Sequence, residues 1–448
     1  MEDNQEQYYK MIHNGIAGLV LSLALPTIAS MLVTSIYNMA DTYFVARLGT
    51  SATGAVGIVL SLMAMIQAIG FTLGMGSATK VSILLGDEDV EQANTYGMGA
   101  MAAAVTAGIF MTAAGLYYLT PLLRLLGATS TMLPYALEYG RYIMIAAPFM
   151  CLSFVLNNLL RAEGKAGFAM VSIVTGALFN IALDAVLILG FSMGVAGAGI
   201  STAVSQVLSC MILLYWYLAK KTVLCLQLKW VVKKPLVYWE ILKNGFPSFV
   251  RQGLVSVATA LTNVMAAVYG DEMVAGISVM NRIFLFLFSV IVGFVQGYSP
   301  VAGYNYGADK IQRVKKAFVF AMNFGIVVMS LLAFGACYFA EFLVGLFGIE
   351  PGITWDTAVT ALRYQCVLLP LILAAVVCNM TYQAMGKAVS ATFLAACRQG
   401  IFLIPFIYIF PKFWGFNGIL LAQPAADLAA FFSSIPFTVK FMKKAKRR

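Results

Sequence analysis

Three carboxylates lie clearly inside long apolar stretches of this chain, away from their ends: Asp41, Asp184 and Asp427. A charge at the middle of a bilayer costs about 3 kcal/mol on insertion scales, so such residues face a protein interior and are functional candidates by default. Asn180 precedes Asp184 by four residues, which on a helix places both on one face. Thr202, in the next apolar stretch, can supply a hydroxyl, and Asp41 follows Tyr37 and Asn38. Proton or cation exchange is the chemistry such oxygens support. The competing reading makes Asp41 and Asp184 structural carboxyls bonded to helix-end groups. For Asp427 a hydrogen-bonding role stands beside a part in a cavity.

Other chemistries are poorly supplied. The single histidine, His13, precedes the first apolar run, so a histidine-based triad or metal site has no materials. The seven cysteines form no C-x-x-C pair and sit mostly in apolar runs, as small buried hydrophobes do. No Gly-x-Ser-x-Gly motif occurs. An enzyme is therefore not expected, nor a bound organic cofactor.

The elements that must position these acids are membrane spans. Of 448 residues, 61% are hydrophobic and 11% charged, against about a quarter charged in soluble domains. A span needs about 20 apolar residues. Twelve candidates lie near 17–46, 54–80, 93–120, 132–159, 168–190, 195–219, 245–269, 274–302, 317–340, 359–384, 389–410 and 416–440. The first is long and contains Pro26, which removes a backbone hydrogen bond and predicts a hinge. The polar, acidic start of the chain and the length of that first run argue against a cleavable signal peptide.

Of 29 Lys and Arg, alternate loops place 21 on one side and only Arg47, Arg124 and Lys412 on the other. The positive-inside rule then puts both termini in the cytoplasm of a bacterial cell, with the chain in its inner membrane. The net charge of +10 is read as topology and lipid-surface contact, not as a nucleic-acid site.

The chain also repeats itself. Pro26 and Pro247, Gly49 and Gly270, Gly76 and Gly297, and Gly86 and Gly307 all stand 221 apart. Arg141 and Arg363, Pro148 and Pro370, and Asn157 and Asn379 stand 222 apart. Residues 1–220 and 240–448 thus read as two six-helix lobes joined by a Lys-rich cytoplasmic linker, 221–239. Six is even, so the lobes are parallel repeats about an axis along the membrane normal, an arrangement suited to alternating access. The fold class expected is an all-α membrane protein of twelve helices with pseudo-two-fold symmetry.

Several segments resemble the multidrug and toxic compound extrusion (MATE) family. They are Tyr37-Asn38-Met39-Ala40-Asp41-Thr42-Tyr43-Phe44, Arg161-Ala162-Glu163-Gly164, Asn180-Ile181-Ala182-Leu183-Asp184, and the run from Gly297 to Ala308. The resemblance spans the chain and implies two lobes around a cleft, with drug efflux coupled to proton or sodium entry. Spans seven and ten carry no Asp or Glu, unlike the NorM-type branch. The pattern fits the DinF-type branch and its Gram-positive multidrug relatives, in which Asp41, Asn180, Asp184 and Thr202 correspond to a cation site. Two carboxylates sharing a low-dielectric pocket cannot both ionise cheaply, so one holds a proton or a sodium ion serves both.

A substrate cavity for amphipathic, often cationic drugs is expected near Met31, Tyr37, Met63, Gln67, Met280 and Phe284, with Asp427 as a further candidate. Flexible, polarisable Met suits loose recognition. A monomer is expected. The alternative is a lipid-linked oligosaccharide flippase of the same superfamily, which would need several cavity cations. Arg251, Arg282 and Arg398 are the available ones. Glu163, between Arg161 and Lys165, is expected to form a local ion pair.

Overall fold

The computed structural model describes residues 2–231 and 234–447. Lys233 and Arg448, counted above among the cytoplasmic charges, lie outside them. All the regular structure among the described residues is helical, with no strand. In a bilayer a helix suits a lone span, because every backbone N–H and C=O finds its partner within its own segment.

A short polar helix, α1 (Glu2–His13), leads into α2 (Ile16–Ala46), α3 (Thr50–Gly86) and α4 (Val90–Tyr117). Then come α5 (Leu119–Leu125), α6 (Leu133–Ala162), α7 (Ala166–Asp184) and α8 (Gly194–Leu218). The second half repeats the pattern with α9 (Pro235–Ala267), α10 (Asp271–Gly307), α11 (Ile311–Tyr338) and α12 (Ala340–Gly345). It continues through α13 (Ile353–Cys366), α14 (Leu369–Ala384), α15 (Ala388–Ala396), α16 (Leu403–Trp414) and α17 (Phe416–Arg447). The turns repeat as well. Gly49 and Gly270 take φ of 102° and 121° at equivalent turns, values that only glycine adopts freely.

Ten described helical stretches are singly long and apolar enough to span a membrane, and the pair α13–α14 makes an eleventh, bent by 51°. The bend falls just before Pro370, which sits in the first turn of α14 and cannot donate to the preceding turn. The remaining span is α9, whose Arg251, Gln252 and Asn263 dilute its apolar character. This gives a multi-pass membrane protein of twelve spans.

The chain divides into two compact units, Met1–Lys10 with Ala29–Gly245, and Met11–Ile28 with Phe246–Arg448. These divisions fall two residues after Pro26 and two before Pro247. Within the first unit α6 is the central helix and packs on α3, α4 and α8. Within the second, α10 packs on α11, α13 and α14, and α17 packs on α14 and α16.

Glycines let backbones meet inside each unit. In the first, a Cβ on Gly76 would lie 2.0 Å from the Ile241 carbonyl oxygen. In the second, a Cβ on the repeat-equivalent Gly297 would lie 2.4 Å from Ala24 Cα. This close approach is the reason small residues recur at membrane helix contacts.

Each unit also contains one π-helical turn in its fifth span, at Ala185–Gly190 directly after Asp184 and at Cys397–Phe402. Such wide turns often mark functional positions, because they redirect side chains within a helix.

Candidate functional site

The first unit encloses a cavity of about 210 Å³. Tyr37 and Asn38 from α2, Gln67 from α3, Asn180 from α7, and Thr202 and Gln206 from α8 are among its walls. Met31 lines it too, on the part of α2 that follows Pro26. Asp41 and Asp184 stand just outside the lining, 6% and 0% exposed. They are near enough for the charge of one to act on the other, and both act on Tyr37.

The hydrogen bonding here is lopsided. Asn180 Nδ2 donates to Ser201 Oγ at 3.0 Å, and Ser201 Oγ returns a bond to the Asn180 carbonyl at 3.0 Å. The Tyr139 hydroxyl meets Thr202 Oγ1 at 3.4 Å. Yet Asp41 Oδ1, Asn180 Oδ1 and both oxygens of Asp184 are buried without a partner of normal hydrogen-bond geometry. Ser201 lies beside Asp184 and acts on its charge. A buried polar atom without a partner costs about 1–3 kcal/mol. A proton or a small hard cation would satisfy such acceptors, and the Ser205 hydroxyl, itself without a partner, lies on the wall of the same cavity. Among the described residues no three His, Cys, Asp or Glu side chains cluster. The donors are therefore two carboxylates and neutral oxygens, a set fitted to a proton or sodium rather than to a softer metal.

The structure thus brings Asp41, Asn180, Asp184 and Thr202 together and adds Ser201. Ser201 escaped the sequence reading because a serine in a small-residue run carries no distinctive spacing. Its one cue was being 21 residues from Asn180 across a single helix turnaround.

The second unit encloses another cavity of about 210 Å³. Met280, Phe284 and Phe288 from α10, Gln365 from α13, Arg398 from the π turn and Gln423 from α17 help to line it. The expected cavity residues therefore divide, Met31, Tyr37 and Gln67 lining the first cavity and Met280 and Phe284 the second. Met63 is 5% exposed and lines neither of these two.

Asp427 lies behind the second cavity, 1% exposed. It accepts from Arg398 Nε at 2.5 Å, from Gln423 Nε2 at 3.0 Å, and from Gln365 Nε2. The sequence reading named both Asp427 and Arg398 but did not pair them, because 29 residues and a turn between spans separate the two.

At the end of α6, outside the spans, Glu163 is fully buried and accepts 2.6 Å from the Val223 backbone N–H. The carboxylate thereby ties the linker to α6. Burial pushes its pKa up to about 7, and the Val223 N–H and the charge of Lys165 pull it back in part.

A family model described as MatE matches residues 26–186 and 247–409, one match in each repeat. The chain is 26% identical over 440 residues to the multidrug export protein MepA of Staphylococcus saprophyticus, covering 96% of this chain and 95% of that protein. It is 26% identical over 437 residues to the MepA of Staphylococcus aureus strain MRSA252, with coverage of 96% and 95%. A crystal structure of MATE in complex with MaL6 has a TM-score of 0.93 at 24% identity, covering 98% and 99% of the two chains. An outward-facing multidrug resistance MATE family transporter has a TM-score of 0.91 at 24% identity, covering 98% of each. At that identity the solved structures establish the fold.

Proposed function

Because the chain belongs to the MatE family, we propose that it is a secondary active antiporter exporting amphipathic, often cationic drugs in exchange for protons or sodium. It works by alternating access as a monomer in the bacterial cytoplasmic membrane, with both termini in the cytoplasm. Its relatives named above are export proteins, and a transporter rather than an enzyme is the reading that follows. One observation carries the coupling. Acceptor oxygens of Asp41, Asn180 and Asp184 are buried without donors of normal geometry, and the charge of Asp41 acts on Asp184.

The driving ion binds at this cluster. The carboxylates hold it, and Asn180 and Thr202 lend neutral oxygens. The ion removes negative charge beside Tyr37 and changes what α2 packs against. A helix with Pro26 in its interior has a ready hinge for that change. An ion that binds one arrangement of α2 better than another shifts the population between them. Drug then binds in the cavity of the first unit in competition with the ion-loaded state. The flippase reading called for several cavity cations. Of the three candidates only Arg398 lines either cavity, and it is paired with Asp427, while Arg251 is turned to Met380 and Ser248.

The test is drug accumulation in everted membrane vesicles, with a proton gradient and a sodium gradient imposed separately. One of the two is expected to drive uptake. Uptake indifferent to both gradients removes the antiport reading.

A further inference from the structure

The cavity in the second unit presents the opposite chemistry to the first, and nothing in the coupling mechanism uses it. Arg398 is its one charged lining residue among those described. The guanidinium is held from two directions. Nε donates to Asp427, and the ring of Phe288 lies 4.8 Å from its centre, within the range of a cation–π contact. The two terminal nitrogens have no acceptor among the described residues, while Asp427 is sealed behind them by Gln365 and Gln423. A solute entering this cavity therefore meets an arginine edge before it meets any carboxylate. The amides of Asn281, Gln399 and Gln423 and the hydroxyls of Thr259 and Thr262 share the wall. Phe284 and Met280 supply an apolar bed.

The duplication sharpens the contrast. At the offset of 222, the position of Arg398 in the first unit is Gly176, and at 221 that of Asp427 is Gln206. Both lie on the wall of the first cavity. One lobe has thus a charged pair where the other has none.

We propose that this cavity is a second ligand site, and that it takes the carboxylate or sulfonate of an amphipathic acid. The planar fork of Arg398 is preorganised for bidentate contact with such a group, and the aromatic bed takes the apolar body. Asp427 anchors the arginine through Nε but opposes an incoming anion by its own charge. Removing Asp427 therefore tightens binding, whereas removing Arg398 exposes Asp427 and turns the preference towards cations. The site goes beyond the antiport reading and does not depend on it.

The probes are dansylglycine, an anion, and dansylcadaverine, a cation with the same fluorophore. Their binding to the purified full-length protein in lipid nanodiscs is followed by fluorescence, with empty nanodiscs subtracted. The wild type is expected to bind dansylglycine saturably. Asp427→Asn should tighten that binding. Arg398→Ala should weaken it by about tenfold or more, the loss of a charge-assisted hydrogen bond, and should favour dansylcadaverine. Arg398→Ala leaves an unpaired buried acid and risks misfolding. The double variant Arg398→Ala/Asp427→Asn removes both charges and keeps the test readable, with folding checked by a monodisperse elution profile and a cooperative thermal melt. Loss of dansylglycine binding in a folded double variant supports the proposal. Undiminished binding there, or absence of saturable dansylglycine binding by the wild type, overturns it. Binding is read at equilibrium without any gradient, so a failure of ion coupling leaves this outcome unaffected.

Discussion

In the first unit Asp184 keeps both oxygens without a donor of normal geometry, while in the second Asp427 receives three donors, one of them an arginine. The two units share repeat-related prolines, glycine turns and glycine packing sites, so the scaffold is nearly the same. The difference shows what duplication permits. One lobe gives its carboxylate an internal counter-ion, and the other leaves its carboxylate without one. A saturated carboxylate has little to gain from a proton or sodium. An unsatisfied one has several hydrogen bonds' worth of free energy to recover.

The harshest way to break the comparison is to neutralise the first unit's acids. Asp41→Asn/Asp184→Asn should insert and fold, yet drop drug efflux to the level of cells lacking the protein, with expression checked by immunoblot. Efflux equal to wild type would move coupling elsewhere, with Asp427 the next suspect. The paired measurement is Asp427→Asn alone, which should retain most of the gradient-driven efflux. If it instead abolishes efflux while Asp184→Asn does not, the roles of the two lobes are reversed.

Packing provides a comparison of intermediate size. Gly76→Ala drives a methyl group into the Ile241 carbonyl, a backbone contact that cannot turn aside. It should destabilise the protein by about 1–3 kcal/mol, the usual cost of overpacking. Gly253→Ala, where no atom lies within 4 Å of the new Cβ, should leave the melting temperature unchanged or slightly higher. Equal melting temperatures for the two variants in detergent would refute the tight contact.

The smallest expected effect is a pH dependence at Glu163. Its pKa rises from 4.5 to about 7 on burial, so the native state holds a proton that the unfolded chain has already released. The resulting stabilisation is full below pH 4.5 and is lost as pH rises through 7. Glu163→Gln cannot titrate, and its melting temperature should vary less between about pH 5 and about pH 8 than that of the wild type. A wild-type profile that is already flat would show that Glu163 ionises without cost.

Much of this was written locally along the chain. Uninterrupted apolar runs determine the spans, because the bilayer admits little else. The offsets of 221 and 222 point to a duplication, since repeated turns need repeated glycines and prolines. The compact units, however, exchange at 28/29 and 245/246 and not at the expected linker 221–239. The rarity of intramembrane acids singles out Asp41, Asp184 and Asp427. That Asn180 and Asp184 share a helix face needs only helical periodicity.

Which acids remain unsatisfied was decided in three dimensions. Asp184 and Asp427 are equally conspicuous in a hydropathy trace, and nothing nearby in sequence separates them. Arg398 reaches Asp427 across 29 residues, and Gln365 reaches it across 62. Ser201 meets Asn180 only because α8 folds back on α7. The expected cavity residues likewise divided between two pockets according to the unit that each helix joins. Hydrogen-bond satisfaction depends on distances of about 3 Å between helices, and helix spacing along the chain says nothing about those. The sequence by itself determined a duplicated membrane bundle with three costly acids, and only tertiary packing decided which of them has a built-in partner.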